Sequence, residues 1–337
     1  MTILPIQTRS RLWNLAPGAA ICIAICIGSA ASAAEDPLPS WNEGRPKQAI
    51  LEFVAAVTDE NGKDYVPPED RIATFDNDGT LWNEKPLYIH FVAVFDHMKQ
   101  QMAADPSLKT RQPYKSLATK DKDYFINLYE DAAYDTLLGQ LIGVPFGGMT
   151  TDTFADWGRA WLKTWKHPKY KVGVQGLIYQ PMVELIRYLE ANDFKVHICT
   201  ADEAAFLRLV SQELYGLPPD HVHGSSVRIE YVVDEGKAQL VRTYRARYLD
   251  NWAAKPRLIM QELGKKPILA AGNSNGDLHM LQYTALTGGL ALLVHHTDGE
   301  REDKYDSHTD KVMPLAKKEG WTVIDMKNDW GVVFPAP

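Results

Sequence analysis

Short runs of consecutive apolar residues alternate along this chain with stretches in which apolar residues recur every three or four positions. Arg71–Phe75, Phe194–Cys199 and Pro267–Ala271 have the length and continuity of strands buried on both faces of a parallel sheet. Leu290–Val294 and Thr322–Ile324 extend the series. Helix periodicity fills the intervals: Pro46–Val57, with Ile50, Phe53, Val54 and Val57 on one face, then Pro181–Ala191, Glu203–Leu214 and Pro256–Leu263. The last is opened by Pro256 and closed by Gly264, as helix start and stop signals require. Val227–Val233 and Gln239–Tyr244, joined by Asp234-Glu235-Gly236-Lys237, predict a β-hairpin. Strands alternating with helices imply an α/β protein built on a doubly wound parallel sheet.

The interval from Phe75 to Phe194 breaks that rhythm. A crossover between parallel strands needs only about a dozen residues. This interval is far longer and carries helical patterns at Leu87–Met102, Lys122–Leu138 and Thr153–Trp165. It predicts a mainly helical cap domain over residues 83–171, inserted into a core domain formed by residues 34–82 and 172–337.

The first residues follow another logic. Arg9 and Arg11 precede the apolar stretch Ala19–Gly28 and the small-residue run Ser29–Ala34. These are the regions of a secretory signal peptide, with Ala31-Ser32-Ala33 as the expected cleavage site. The apolar span is short against the roughly 20 residues of a membrane helix. Residues 1–33 therefore predict a cleaved signal and a periplasmic or secreted protein without a stable membrane anchor.

Composition narrows the function. The 337 residues are 45% hydrophobic and 23% charged, with a formal net charge of −7, which excludes a disordered chain. The acidic balance offers no footprint for nucleic acid. Cys22 and Cys26 fall in the signal, so Cys199 stands alone, as a small core residue on a predicted strand.

Candidate chemistry sits where predicted strands end. The first runs into Asp76-Asn77-Asp78-Gly79-Thr80, the second into Thr200, and the third into Gly272-Asn273-Ser274-Asn275-Gly276-Asp277. In open α/β sheets the ligand crevice lies beyond the carboxyl ends of the strands, so three clusters remote in sequence converge there. Two carboxylates at i and i+2 in such a turn can divide labour. Asp76 can attack an electrophile while Asp78 gives and takes a proton.

Asp76-Asn77-Asp78-Gly79-Thr80-Leu81 resembles the first motif of the haloacid dehalogenase superfamily of phosphohydrolases. Thr200, Lys255 and Gly272–Asp277 are similar to its second, third and fourth motifs, in order. The cap placed between the first two motifs resembles the phosphoserine-phosphatase-like branch. The resemblance implies a Rossmann-like core and Asp76 as nucleophile, forming an aspartyl-phosphate. Asp78 would be general acid/base, Thr200 with Ala201 would hold phosphoryl oxygens beside Gly79 and Thr80, and Lys255 would neutralise charge. It also implies Mg²⁺, held by Asp76, Asp78, Asn273 and Asp277. Asn273 departs from the family, which carries an acid there; its amide oxygen can ligate a hard cation but brings no charge. A small phosphorylated metabolite is the implied substrate. A phosphotransferase of the same mechanism and a non-catalytic phosphate-binding module are the alternatives.

The cap would set substrate choice. Glu84 follows Asp76 by eight residues, close to where serine-phosphate phosphatases carry a substrate-facing acid, or it is an exposed loop acid. Trp157, Trp161 and Trp165 form either an aromatic box for a quaternary ammonium group or, the commoner fate of such a stripe, cap core. Gly143-Val144-Pro145-Phe146-Gly147-Gly148 reads as an inter-helix loop. His221, His223, His295 and His296 lack companion ligands at metal spacing and read as structural.

Overall fold

Seven strands form one sheet in the order β4-β3-β2-β1-β5-β6-β7 in the computed structural model, which describes residues 36–126 and 138–336. The strands are β1 (Ile72–Phe75), β2 (Lys195–Glu203), β3 (Val222–Asp234), β4 (Lys237–Tyr248), β5 (Leu269–Gly272), β6 (Leu290–His295) and β7 (Thr322–Asp325). All neighbours pair in parallel except the β3–β4 hairpin. The signal segment lies outside the described residues, as does the greater part of the helix expected over Lys122–Leu138. Among the described residues no helix is long and apolar enough to cross a membrane.

Both faces of the sheet are covered, which explains why its strands read as unbroken apolar runs. Ala73, Phe75, Val196, Ile198, Leu269, Ala271, Leu292 and Val294 enter one cluster, with Ile50 and Val54 of Arg45–Thr58 and Met182 and Ile186 of Gln180–Ala191. Cys199, Ala270, Ala291 and Leu293 enter the other, against Ile259, Met280, Leu281, Val312 and Ala316. Successive strand residues thus alternate between two cores, and the fold is the expected doubly wound α/β architecture.

The stretch after β2 differs from expectation. Instead of one helix over Glu203–Leu214, β2 continues to Glu203, and only short helices follow at Ala204–Leu207 and Ser211–Tyr215. Glu203 is held in the sheet by its register partner Ser225 and by a buried, bidentate pair with Arg242 of β4 (2.7 and 3.0 Å). The hairpin is also longer than its apolar core suggested. Glu235 and Gly236, at φ 47° and 76°, close it in the double left-handed turn that matches strand twist.

The insertion after β1 is helical where described: Ile89–Ala104, Tyr114–Thr119, Lys122–Ile126, residues 138–143 and Thr151–Thr164. It belongs to the same compact unit as the sheet, which spans Pro37–Pro337. The hairpin fastens it, through Arg242 N to Met149 O and Gly148 N to Arg242 O, both 2.8 Å.

Candidate active site

The sheet order changes direction at β1: β2 and β3 lie to one side, β5 to β7 to the other. Just beyond the carboxyl ends of β1, β2 and β5 lies a cavity of about 480 Å³. Asp76 and Asp78 line it from the β1 turn, Thr200, Ala201 and Asp202 from β2, and Ser274–Asp277 from the loop after β5. The insertion adds Tyr88 and Phe91, and Glu84 comes from the segment leading into it.

Lys255 stands at the centre. Contrary to expectation it does not precede its helix but occupies the first turn of Ala254–Leu263, where it is buried. Its Nζ donates to Asp76 Oδ1 (2.6 Å), Asp277 Oδ1 (2.7 Å) and the Cys199 carbonyl (2.8 Å). Burial alone would lower the pKa of this ammonium, but the Asp277 and Asp76 carboxylates raise it well above normal, so it stays charged. Asp76 is pushed upward by burial and then by Asp277, with Lys255 opposing. Asp78 is pushed upward by burial and then by Asp202, against a hydrogen bond from Trp82 Nε1 to Asp78 Oδ1 (2.8 Å). A general acid at neutral pH needs such an elevation.

Asp277 lines the cavity, its Oδ2 accepting Asn273 N, Ser274 N and Ser274 Oγ (3.0, 3.0 and 3.2 Å) while Oδ1 accepts from Lys255. Gly79 and Thr80 correct the expectation. Their amides donate inside the turn, Gly79 N to Trp82 O (2.8 Å) and Thr80 N to Asn77 O (3.2 Å), and neither residue lines the cavity. Gly79, at φ 72°, instead makes room: a Cβ there would lie 2.0 Å from Asn273 Nδ2. Asn273 therefore sits behind the β1 turn, its Oδ1 3.3 Å from Thr80 Oγ1. Thr200 is in place, its Oγ1 accepting Asp202 N (3.1 Å) with the hydroxyl hydrogen left to donate. Glu84 is buried and lines the cavity rather than standing exposed on a loop.

The donor chemistry fits a hard divalent cation. The lining carries six carboxylates (Asp76, Asp78, Glu84, Asp202, Asp277, Asp310) against Lys255 and Lys311. That excess opposes entry of an anionic substrate unless a cation offsets it. Among the described residues no three His, Cys, Asp or Glu side chains form a metal cluster. The holders would be Asp76, the Asp78 carbonyl and Asp277, whose residues line the cavity, an all-oxygen set that suits Mg²⁺; Asn273, expected beside them, does not line it.

Several other expectations find their place. Cys199 is buried, with its thiol pKa raised by burial and then by Asp250, which makes it inert. The tryptophan stripe is packing. Trp157 lies 4.7 Å from the Phe146 ring, Trp161 stacks on Trp165 at 5.3 Å, and none lines the cavity. The loop at Gly147 packs on the hairpin, where a Cβ would strike Tyr244 at 2.2 Å. His197, not singled out by the sequence, bridges to His223 at 3.2 Å. His296 does more than fill space: Nδ1 contacts Glu302 Oε2 (2.7 Å) and Nε2 the Gly79 carbonyl (2.8 Å). Asp202, Asn251, Trp252, His308 and Lys311 complete the cavity without a sequence signal, because they belong to none of the four motifs.

A hydrolase fold with an acidic strand-end site is what these features define. The chain matches the family model of haloacid dehalogenase-like hydrolases over residues 73–282, and it belongs to that family. Among solved structures it is similar to a protein of unknown function from Bordetella pertussis Tohama I (15% identity, 76% of this chain and 98% of that one, TM-score 0.47). A functionally unknown protein from Anaerococcus prevotii is also similar (16%, 83% and 91%, 0.48). So is a phosphoserine phosphohydrolase-like protein from Francisella tularensis (14%, 75% and 94%, 0.41). No functionally curated protein matches the chain.

Proposed function

We propose that the protein is an exported, Mg²⁺-dependent phosphatase of the phosphoserine-phosphatase-like branch, hydrolysing small organic phosphate monoesters through an aspartyl-phosphate on Asp76. The observation that carries this reading is the buried contact of Asp76 with Lys255 at the mouth of β1, with Asp78 beside it in one cavity. Asp76 would attack phosphorus; Asp78 would protonate the leaving oxygen and then take a proton from water. Thr200 Oγ would donate to a phosphoryl oxygen, and Lys255 would hold negative charge that builds in transfer. Bound Mg²⁺ would neutralise phosphate charge. About 480 Å³, partly walled by Tyr88, Phe91 and Trp252, suits a small metabolite with an apolar portion. Export rests on the signal-like residues 1–33.

The test is a screen of phosphate esters with added Mg²⁺, repeated with chelator and with Asp76→Asn. Release of phosphate that both treatments abolish supports the reading. Binding of phosphorylated ligands without turnover under any metal favours the non-catalytic alternative.

A further inference from the structure

Two segments outside the four motifs contribute to the cavity wall, and the loop after β5 holds both in place. Asn275, buried in that loop, accepts Lys311 N and Val312 N on Oδ1 (both 3.0 Å). It donates from Nδ2 to Asp310 Oδ1 (2.7 Å) and from its amide to the His308 carbonyl (2.6 Å). On the second segment the Trp252 amide donates to Gly276 O (3.1 Å) and to Asn251 Oδ1 (3.0 Å). A Cβ on Gly276 would lie 2.6 Å from that same Asn251 oxygen, so the close approach depends on glycine. Trp252 itself stands at φ 54°, an outlier for so bulky a residue, and such outliers gather at ligand clamps. Its Nε1 is buried and has no hydrogen-bond partner among the described residues.

These supports set Lys311 Nζ 5.0 Å from the centre of the Trp252 ring. Among the described residues that nitrogen has no carboxylate in ion-pair contact and makes no hydrogen bond. Asp310, its neighbour in sequence, gives Oδ1 to Asn275. Lys255, the other lysine of the lining, is spent on Asp76, Asp277 and the Cys199 carbonyl. His308 also lines the cavity, but burial and then Lys85 push its pKa down, which keeps it neutral. The remaining charged side chains of the lining are carboxylates, which repel a second acid group wherever no cation stands. Lys311 is thus the lining cation left to meet an anion that the ligand brings.

We propose that Lys311, seated over Trp252, is a specificity-determining residue that takes a second acid group of the substrate, a carboxylate or another phosphate. This rests on the phosphatase reading and deepens it: the preferred ester is acidic at both ends. The contact forms in the bound substrate and persists through transfer, so its loss falls on KM more than on kcat.

The experiment compares kcat/KM for phosphate monoesters of short ω-hydroxyalkanoic acids with that for n-alkyl phosphates of matched length, and runs the α,ω-alkanediol bisphosphates beside them. At the best length the wild type is expected to favour an acidic ester by about fivefold or more, Lys311→Met to lose most of that preference through KM, and Lys311→Arg to keep part of it. Lys318→Met, on the helix Val312–Glu319 and outside the cavity, is expected to leave the preference as in the wild type. A Lys311-dependent preference in either acidic series supports the proposal, and the series with the larger one identifies the acid group. No preference at any length, equal losses on acidic and alkyl esters in Lys311→Met, or an equal shift in Lys318→Met overturns the proposal while leaving the phosphatase reading intact. A wild-type protein inactive on every ester overturns the two together.

Discussion

The Lys255 ammonium lies 2.6 Å from Asp76 Oδ1, joining residues 179 positions apart in the chain. The same nitrogen holds Asp277, and the lysine and both acids are buried. Removing it leaves two buried carboxylates facing each other. Lys255→Met is therefore expected to cut kcat/KM by about 10²-fold or more and to lower stability by about 3 kcal/mol. Steady-state kinetics and urea denaturation check both. Wild-type kinetics in the variant would remove Lys255 from the mechanism.

Gly79 is constrained twice, by φ 72° and by Asn273 Nδ2 lying 2.0 Å from where a Cβ would stand. Gly79→Ala is expected to destabilise the protein by about 1–3 kcal/mol and to displace Asn273. A denaturation midpoint matching wild type would show that the turn relaxes freely.

His296 contacts a carboxylate and a carbonyl, both acceptors, so each ring nitrogen must donate and the ring is a cation. Burial would lower its pKa, but Glu302 outweighs burial and the net shift is upward. A raised folded-state pKa gives stability that is full below the unfolded value of about 6.5 and is lost as pH rises through the folded value. Denaturation midpoints should fall as pH rises above about 6.5, and this fall should shrink in Glu302→Gln. A pH-independent midpoint in the wild type would contradict the assignment.

Arg242 and Glu203 form a bidentate pair with both side chains almost fully buried, and the guanidinium also lies 3.9 Å over the Phe154 ring. Arg242→Ala strands a buried carboxylate and should cost about 3–5 kcal/mol, measured by chemical denaturation. The double change Arg242→Met with Glu203→Leu should recover much of that loss. No recovery would locate the cost in Phe154 packing instead.

These same residues show what a sequence reveals. The apolar runs at Ala73–Phe75 and Leu292–Val294 were legible because burial on both faces leaves a continuous signature. Asp76, Asp78, Thr200 and Lys255 were legible because their chemistry is tied to strand ends and motif order. Glu203 was misread as helical because local propensity does not register a salt bridge to a residue 39 positions away. Gly79 and Thr80 were assigned to substrate because spacing does not show that their amides close the turn on itself. Asp202 carried no signal, since what brings it to the cavity is the register shift between Thr200 and Glu203 rather than a motif.

The most direct measurement is mass spectrometry of the protein quenched in acid during turnover of a phosphate ester with Mg²⁺. The account predicts one added phosphoryl group, mapped to the peptide containing Asp76 and absent from Asp76→Asn. Steady turnover without that adduct, or turnover persisting undiminished in Asp76→Asn, would contradict it.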